Sequence, residues 1–600
     1  MLDSSIDAAL GPGSGLRARV EPAALLPSAT LSGAEFVVEE LARREITTVI
    51  GIPGGAILPL YDALARGGVR HVLARHEQGA GFIAQGMARA TGKAALCLAT
   101  SGPGVTNLIT ALADARADSV PLVAITAQVP RALIGTDAFQ EVDTCGIARP
   151  VTKASFFAGS AAELRRILPH AFDLATSGRP GPVLVDIPKD VFTEKLPRTK
   201  LPGTLNGDAL AALGAGSRAP AVPHRARVTR RLDAGQPSSW REVAALIEGS
   251  RRPLLYIGGG IHMSGAERAL AELVRRADIP VVCSLHGLGS FPTDDPRCLG
   301  MLGMHGAPYA NHATEEADLV LAIGARFDDR ATGNPEQFCR HARIVHIDVD
   351  ARELGKIKPV SIGIASDARS ALEALLAALG PLEHGEWRAR LDELRRQHPL
   401  ELRGDACALL DALDASLRPG TIVTTDVGQH QMWVAQCVKF RASRTLLTSG
   451  GLGTMGFGLP AAIGAALGRP GTRVVCVTGD GSLLMNLQEL ATLAELGLEV
   501  KVLVLNNGQL GLVRQQQQLF YERRFSAAHF ERRSDFAALA QAFGISGEHA
   551  RAPELNRTRL RRWLAASGPA LLDAQIDGTE NVLPMVPPGA SNLEMILREG

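Results

Sequence analysis

The chain has 600 residues, of which 46% are hydrophobic and 21% are charged, and its formal net charge is +1. This length and composition are typical of a globular protein with several domains, and the near-neutral charge gives no electrostatic reason to expect nucleic acid or a membrane surface as a partner. The eight cysteines include no Cys-x-x-Cys pair, so neither a disulfide framework nor a zinc site is indicated, and we expect a cytoplasmic protein.

The first part of the chain is predicted to be an extension followed by an α/β domain. Residues 1–31 lack the apolar core of a signal peptide, and we expect them to form a mobile extension. Strands and helices alternate over residues 32–192. Within this domain, Glu77 follows a strand-like run at 69–74 and opens a largely apolar helix. We therefore expect a partly buried carboxylate that needs a partner, although a first-turn Glu is often only a surface residue that matches the helix dipole.

A linker is predicted over residues 193–239. This segment carries Pro, Gly and Arg without sustained periodicity. Its basic pairs lack the aromatic residues that an RNA- or lipid-binding segment would need, so we interpret them as solvated.

A second α/β domain is predicted over residues 240–380, with strands that include 318–324 and 343–349. Earlier in the same domain, an apolar run ends in Gly258-Gly259-Gly260. Asp348 lies near the end of the strand at 343–349. Dinucleotide folds place a glycine turn and a ribose-binding acid in this way, but glycines after a strand are also simply a turn.

The third predicted domain, over residues 400–590, holds the most specific motif. A strand at 473–478 leads into Gly479-Asp480-Gly481-Ser482, a single helix is predicted over 483–496, and the apolar run 500–505 ends at Asn506-Asn507. Asp480 and Asn507 should lie at adjacent strand ends, where their oxygens suit Mg²⁺ that also carries a diphosphate. Each piece alone is more often a tight turn or a strand cap.

The two pieces together resemble the GDG…NN signature of thiamine diphosphate (ThDP) enzymes. Further stretches resemble the catalytic large subunits of biosynthetic acetolactate synthases, also called acetohydroxyacid synthases, and most of all the bacterial isozyme I type. These stretches are the Glu77 helix and residues 51–59, 100–104, 134–141, 327–330, 426–433 and 450–456.

The resemblance implies an α/β fold of three doubly wound parallel-sheet domains: a pyrimidine-binding domain, a central Rossmann-like FAD-binding domain and a diphosphate-binding domain. No internal repeat is detectable, yet the first and third domains are expected to share a fold. The active site is expected between the first domain of one subunit and the third of another. We therefore expect a homodimer or homotetramer, and a small regulatory subunit as a partner.

The resemblance also implies site residues for three cofactors, ThDP, Mg²⁺ and FAD. The residues expected to bind ThDP are Glu77, Gly428, Gln429, His430, Met455, Gly479, Asp480, Gly481, Ser482 and Asn507. Those expected to hold Mg²⁺ are Asp480, Asn507 and the main chain of Gln509. Those expected near FAD are Arg179, Gly258, Gly259, Gly260, Met304, His305, Gly306, Gly324, Arg326, Asp328, Arg330, Asp348 and Asp367.

The implied activity is carboligation: pyruvate is decarboxylated on ThDP, and its two-carbon unit is transferred to a second pyruvate or to 2-ketobutyrate. Glu77 would hydrogen-bond the pyrimidine ring, and Arg330 would receive the carboxylate of the second substrate, although an ordinary ion pair with Asp328 or Asp329 is the alternative. Weaker catalytic candidates are Gly55, Gln128 and Lys153. Gln516 replaces a Trp that many members carry, which predicts a weak preference for 2-ketobutyrate.

Two rivals to this interpretation use the same fold. A FAD-dependent pyruvate oxidase, or another ThDP-dependent 2-keto acid carboligase, would share the cofactor motifs but not the outcome of the reaction. A binding protein without turnover is opposed by the presence of Glu77, Asp480 and Asn507 together.

Overall fold

The computed structural model describes residues 29–198 and 227–598. Of the extension predicted at 1–31, residues 1–28 lie outside the described residues, whereas Thr30 and Leu31 belong to a short strand, Thr30–Ser32. Within these ranges the chain forms three parallel sheets flanked by helices, which confirms the predicted fold class. Among the helices in these ranges, none is both long enough and apolar enough to cross a membrane.

The first domain is built on a six-stranded parallel sheet in the order β3-β2-β4-β5-β7-β6, and a small antiparallel pair joins β1 to β8. Its strands are β1 (Thr30–Ser32), β2 (Thr48–Gly51), β3 (Arg70–Leu73), β4 (Ala95–Ala99), β5 (Leu122–Gln128), β6 (Ala154–Phe157), β7 (Pro182–Pro188) and β8 (Lys195–Pro197). Its helices are Gly33–Arg43, Leu58–Arg66, Glu77–Thr91, Pro103–Ala117, Thr144–Ala148, Ala161–Thr176 and Lys189–Thr193, with 3₁₀ turns at Arg131–Leu133 and Arg149–Val151. Every residue of β5 and β7 is buried, as expected for parallel strands that are covered by helices on both faces.

The central domain has a seven-stranded parallel sheet in the order β12-β11-β10-β13-β14-β15-β9. Its strands are β9 (Val228–Leu232), β10 (Pro253–Ile257), β11 (Val281–Cys283), β12 (Cys298–Met301), β13 (Leu319–Ile323), β14 (Arg343–Asp348) and β15 (Val360–Ala365). Its helices are Pro237–Glu248, Gly260–Ser264, Glu267–Ala277, Pro308–Glu316, Asp329–Thr332, Ala368–Ala378 and Gly385–Gln397, with a 3₁₀ turn at Leu285–Gly287. The strand order reverses direction between β10 and β13, and such a switch point is where open α/β sheets bind ligands.

The segment predicted as a linker, 193–239, is structured at both ends. β8 pairs with β1, β9 forms the edge of the central sheet beside β15, and the helix Pro237–Glu248 begins before residue 240. The part between β8 and β9, residues 199–226, lies outside the described residues.

The third domain has a six-stranded parallel sheet in the order β17-β16-β18-β19-β21-β20. Its strands are β16 (Ile422–Thr425), β17 (Leu446–Leu447), β18 (Val474–Gly479), β19 (Val500–Asn506), β20 (Ser546–Arg551) and β21 (Ala570–Gln575). Its helices are Asp405–Asp414, Gln429–Cys437, Gly458–Gly468, Asp480–Leu483, Glu489–Leu496, Gly511–Phe520, Phe536–Ala542 and Arg557–Ala565, with a 3₁₀ turn at Ala552–Glu554. If the strands of each six-stranded sheet are numbered in chain order, the third and first domains have the same spatial order of strands. No sequence repeat between the two domains is detectable.

The prediction of a single helix over residues 483–496 is wrong. The structure has two helices, Asp480–Leu483 and Glu489–Leu496, separated by a turn. In that turn Leu484 and Met485 are exposed, while the buried side-chain amide of Asn486 donates a 2.8 Å hydrogen bond to the carbonyl of Gly456. A polar contact with a neighbouring loop therefore overrides the apolar helical spacing.

The first and third domains pack through two crossing helices, Glu77–Thr91 and Gly458–Gly468. At Gly86 an added Cβ would overlap the carbonyl oxygen of Ala461, and at Gly464 it would overlap that of Ile83. The rings of Phe82 and Phe457 meet edge to face, with their centroids 5.4 Å apart. Glycine at both positions lets the two backbones touch, which fixes the Glu77 helix against the third domain.

Candidate functional site

A cavity of about 130 Å³ opens at the carboxyl end of the third sheet. Ten of the residues predicted for ThDP and Mg²⁺ line it: Gly428, Gln429, His430, Met455, Gly479, Asp480, Gly481, Ser482, Asn507 and Gln509. The cavity is further lined by Val427, Trp433, Leu505, Leu510, Gly511, Leu512 and Val513. The structure therefore brings together all the ThDP and metal candidates except Glu77.

Asp480 and Asn507 meet because β18 and β19 are adjacent parallel strands with Gly479 opposite Leu505. One carboxylate oxygen of Asp480 accepts hydrogen bonds from the backbone N–H groups of Gly508, at 2.7 Å, and Gln509, at 3.2 Å. Gly508 allows this turn with a φ of +72°. Burial raises the pKa of Asp480 to about 6, while the backbone hydrogen bonds oppose the rise. A buried carboxylate without a countercharge beside an amide oxygen is a suitable ligand set for a hard cation.

The described residues hold no group of three or more His, Cys, Asp or Glu side chains that could bind a metal ion. The predicted Mg²⁺ site does not depend on such a group, because it has one carboxylate, one amide and a main-chain carbonyl. The remaining positions would fall to water and diphosphate oxygens, as is usual for Mg²⁺.

The rim of the cavity combines glycines with a buried histidine. A Cβ at Gly479 would lie 2.9 Å from Nδ1 of His430, and one at Gly428 would lie 2.8 Å from its Cε1. Burial lowers the pKa of His430 to about 3, so the ring is neutral near pH 7. Its buried Nε2 has no hydrogen-bond partner among the described residues. An unpaired ring nitrogen in a glycine-lined cavity is a free hydrogen-bonding group for a ligand, and in the Nε2–H tautomer it would donate to an anion.

Gln429 and Ser482 are held by neighbouring segments. The Gln429 amide donates to the side chain of Gln515 at 3.0 Å and to the carbonyl of Glu580 at 2.8 Å, and its oxygen accepts from Asn507 at 3.2 Å. The Ser482 hydroxyl donates to the carbonyl of Val427 at 2.8 Å. Both positions are thus fixed before any ligand binds.

Met455 lines the cavity from a loop that Asp426 holds in place. The carboxylate of Asp426 accepts N–H bonds from Gly456, at 2.8 Å, and Gly458, at 3.1 Å. Burial raises the pKa of Asp426 to about 6. Our sequence analysis missed this role, although an acid directly after the buried strand β16 was a usable signal.

Glu77 begins the helix Glu77–Thr91 and is buried, as predicted, with an exposure of 9%. It is not among the residues that line the cavity of its own chain. Its carboxylate accepts a 2.9 Å hydrogen bond from the amide of Asn107. Just before it, the backbone N–H groups of Arg75 and His76 donate to Glu489, at 2.9 and 3.1 Å. Sequence reasoning missed Glu489, whose signal was an acid on the buried face of an apolar helix.

The other catalytic candidates lie outside the cavity lining. Gly55 is exposed, and Gln128 is buried at the end of β5, where its amide donates to the carbonyl of Val142 at 2.8 Å. The ammonium of Lys153 donates to the carbonyls of Leu174 and Ser177, and burial lowers its pKa to about 8. Arg330 is 62% exposed and lies 3.6 Å from Asp329, so its ion pair is a weak surface pair.

Gln516 is exposed on the helix Gly511–Phe520. The first three residues of this helix, Gly511 to Val513, line the cavity, which places the selectivity candidate about one turn beyond them.

Several FAD candidates gather at the switch point of the central sheet. Gly258 and Gly260 follow β10 and approach Gly324 so closely that an added Cβ on Gly260 would lie 2.6 Å from the Gly324 Cα. Gly324 itself has a φ of +59°. Asp348 ends β14 nearby, and burial raises its pKa to about 6.

Other FAD candidates already have partners within the chain. Arg179 donates to Ser119 and Glu353, both at 2.8 Å, and Arg326 donates to the carbonyl of Ala117 at 2.8 Å. His305 contacts the carbonyl of Pro584 at 2.9 Å, and burial lowers its pKa to about 4.

The remaining FAD candidates lie close to these loops. Asp328 and Asp367 accept backbone N–H bonds at the first turns of the helices Asp329–Thr332 and Ala368–Ala378. The N–H of Met304 donates to the carbonyl of Arg330 at 2.8 Å. Gly259 packs against His286, and a Cβ on Gly306 would overlap the main chain of Leu302.

Comparison with known proteins gives consistent matches along the chain. Three family models of thiamine pyrophosphate enzymes match it: the N-terminal TPP binding domain over residues 31–147, the central domain over 240–375 and the C-terminal TPP binding domain over 426–574. The chain is 47% identical over 572 residues to the acetolactate synthase isozyme 1 large subunit of Escherichia coli, covering 94% of this chain and 97% of that protein.

Two further relatives also match nearly all of this chain. Identity is 46% over 572 residues with the isozyme 2 large subunit of Escherichia coli, covering 94% of this chain and 99% of that protein. It is 42% over 590 residues with acetolactate synthase 1, chloroplastic, of Nicotiana tabacum, covering 95% of this chain and 85% of that protein.

Proposed function

The chain belongs to the acetolactate synthase large-subunit family of thiamine diphosphate enzymes, and on that premise we propose that it forms 2-acetolactate from two molecules of pyruvate. With 2-ketobutyrate as the second substrate, the product is 2-aceto-2-hydroxybutyrate. This is the first common step of branched-chain amino acid biosynthesis. The observation that carries the proposal is the cavity in which Asp480, Asn507 and the unpaired His430 Nε2 converge.

The cavity fits the diphosphate end of ThDP with Mg²⁺. Asp480 and Asn507 offer oxygen ligands, and burial raises the pKa of Asp480 to about 6, so a cation beside it would stabilise its charged form. Glycines at 428 and 479 leave room beside His430 that a side chain would fill. We assign Mg²⁺ to Asp480, Asn507 and the main chain of Gln509. The phosphate oxygens are assigned to His430 and to the backbone N–H groups at Gln429 and Ser482, since the side chains of these last two already donate within the chain.

Bound ThDP supplies a carbon nucleophile and an electron sink for loss of CO₂ from a 2-keto acid. Met455 would support the cofactor from its loop, and Glu77 would hydrogen-bond the pyrimidine ring nitrogen. Arg330 would receive the carboxylate of the second keto acid. Its high exposure and weak ion pair leave the guanidinium available for that role.

A second copy of the chain would complete the site. Glu77 is fixed on its own third domain by the helix crossing at Gly86 and Gly464 and by the Glu489 hydrogen bonds, yet it does not line its own cavity. We therefore propose at least a homodimer in which Glu77 serves the partner's cavity. A small regulatory subunit is proposed from the relatives, which are named as large subunits.

The central domain fits a dinucleotide such as FAD. Backbone contact between Gly258–Gly260 and Gly324 at the switch point, with Asp348 at a neighbouring strand end, is the arrangement that such folds use. We propose FAD as a bound, structural cofactor. A cytoplasmic location is proposed on the eight cysteines, all of which are free.

The proposal is tested by incubating the purified chain with pyruvate, ThDP, Mg²⁺ and FAD while acetolactate and oxygen uptake are measured together. Acetolactate without matching oxygen uptake supports the synthase, whereas oxygen uptake that matches pyruvate loss would establish the oxidase. Glu77→Gln should still bind ThDP but lose activity by about 10²–10⁴-fold, the usual contribution of a positioned acid–base group. Glu383→Gln, at an exposed position, is the matched control.

A further inference from the structure

Two buried carboxylates stand at the end of the helix Pro103–Ala117, where all three domains meet. The side chains of Asp114 and Asp118 are fully buried, and both accept hydrogen bonds from the Arg89 guanidinium, at 3.1 and 2.9 Å. That guanidinium also lies 5.0 Å from the ring centroid of Phe457. None of these three residues touches the ThDP cavity, so the function proposed above does not account for them.

The two carboxylates bind the loop that leads to Met455. Asp118 accepts the backbone N–H groups of Gly450, at 3.1 Å, and Gly451, at 2.7 Å. Asp114 accepts the hydroxyls of Ser449 and of Thr454, the latter at 2.8 Å. The first domain therefore anchors residues 449–454 at four points, and Met455 is the next residue.

The central domain reaches the same carboxylate through a histidine. Nε2 of His286, which follows β11, lies 3.0 Å from Asp118, and the two form an ion pair when the histidine is protonated. Burial alone would raise the pKa of Asp118, but the attraction of His286 and Arg89 outweighs it and holds the pKa below its usual range. The charged carboxylate of Asp118, which belongs to the first domain, is therefore in contact with residues of the central and third domains as well as its own.

Glycines in the loop make this approach possible. A Cβ on Gly451 would lie 2.6 Å from Asp118 Oδ1, and one on Gly450 would lie 3.0 Å from two carbons of the His286 ring and closer still to Nε2. Contacts this short are not tolerated by a side chain, so the loop is shaped to receive Asp118 and His286 together.

We propose that Asp118 and His286 are positioning residues that hold the Met455 loop in its binding-competent form for thiamine diphosphate. Asp426 and Asn486 fix the far side of the loop, whereas Asp118 and His286 fix the side next to the first and central domains. Without the pair, a loop with exposed Leu452 and Gly453 at a φ of +71° would sample other conformations and bind the cofactor more weakly. This inference rests on the proposed ThDP site.

The test is a titration of the full chain with ThDP at saturating Mg²⁺, monitored by intrinsic tryptophan fluorescence, to which Trp433 in the cavity lining contributes. His286→Ala should raise the half-saturating ThDP concentration about tenfold, as expected for loss of a hydrogen bond to a charged group. His286→Gln keeps a side-chain N–H donor and should restore most of the affinity. His398→Ala removes a histidine that stacks on His312 and should match wild type.

A double-mutant cycle separates positioning from general stability. If His286 acts through the loop, Met455→Ala should reduce the effect of His286→Ala well below tenfold; independent sites would give additive effects. Gly450→Ala should also weaken ThDP binding, because its methyl group would displace the His286 ring from Asp118. Additive effects, or an unchanged titration in both His286→Ala and Gly450→Ala, would overturn the proposal.

The outcome is independent of catalysis. Wild type that binds ThDP but makes no acetolactate would refute the proposed activity and leave the loop inference standing. Wild type that makes acetolactate, with both His286→Ala and Gly450→Ala binding ThDP normally, would refute the inference alone.

Discussion

Gly464→Ala tests whether backbone contact between two helices holds the Glu77 helix in place. An added methyl group would overlap the Ile83 carbonyl oxygen, and it would lie 2.8 Å from the carbonyl carbon and 2.9 Å from the backbone nitrogen of Met87. All three atoms belong to the backbone of the helix Glu77–Thr91, so no side-chain rotation relieves the overlap. The helices would have to separate by about 1–2 Å to bring all three atoms to ordinary contact distances, which are about 3.5–4.0 Å between carbons.

The expected cost follows from two opposed terms. Overpacking of a close-packed contact costs about 1–3 kcal/mol or more, and the overlap with main-chain atoms places this site at the upper end. The higher helix propensity of alanine opposes this cost, because alanine in a helix interior is about 1 kcal/mol more stable than glycine. We therefore expect a net destabilisation of about 2 kcal/mol.

Gly468→Ala is the matched control, because it lies on the same helix and faces the same partner. Its Cβ would lie 3.0 Å from the Thr91 methyl group, at the end of a side chain that can move, and 3.3 and 3.4 Å from the Cα and carbonyl oxygen of Met87, which is much less crowded than at Gly464. Thermal and urea unfolding of both variants, with and without ThDP, would measure the difference. The reasoning fails if Gly464→Ala is as stable as Gly468→Ala and binds ThDP as wild type does.

Three further predictions concern the site and its surroundings. Asp480→Asn removes the charge and sets an NH₂ group against backbone donors, so the Mg²⁺ needed for ThDP binding should rise about hundredfold; an unchanged Mg²⁺ titration would contradict the assignment. Burial raises the pKa of Asp186 to about 7, so its contribution to stability is full below about pH 4 and is lost as the pH rises from there through 7. The free energy of unfolding of Asp186→Asn should therefore increase relative to wild type by about 3 kcal/mol between pH 5 and pH 8, and a constant difference in unfolding temperature would refute this. Gln516→Trp should raise the share of 2-aceto-2-hydroxybutyrate from mixed keto acids by about tenfold, with unchanged stability because the position is exposed, and unchanged product ratios would oppose its role in selectivity.

The strands of the third domain could be predicted because buried parallel strands are continuous apolar runs. The strand predicted at 473–478 is Val474–Gly479, and the run at 500–505 becomes β19 with Asn506 added. Asp480 and Asn507 then follow from topology, since the ends of adjacent parallel strands share an edge. The edge strand β9 was not predictable in this way, because most of Val228–Leu232 is exposed and carries two arginines.

Two residues show where motif reasoning reaches its limit. Glu77 was predicted correctly as a buried helix-opening acid, but the hydrogen bonds that orient its turn come from Glu489, more than four hundred positions away. No local pattern connects the two. Lys153 shows another limit, because only the family resemblance made it a catalytic candidate, whereas its ammonium donates to two carbonyls at the end of a helix.

Groups that touch a cofactor constrain the sequence around them, because a phosphate or a metal needs particular atoms at a particular turn. Groups that hold those turns in place are constrained only by what they meet after folding. Asp118 is an unremarkable acid in its own helix, yet it accepts bonds from Arg89, Gly450, Gly451 and His286 of three domains. If the Met455 loop depends on that carboxylate, then the geometry of the ThDP cavity is set partly outside the domain that carries its motif, and variants at residue 118 or 286 should affect cofactor binding without altering any motif residue.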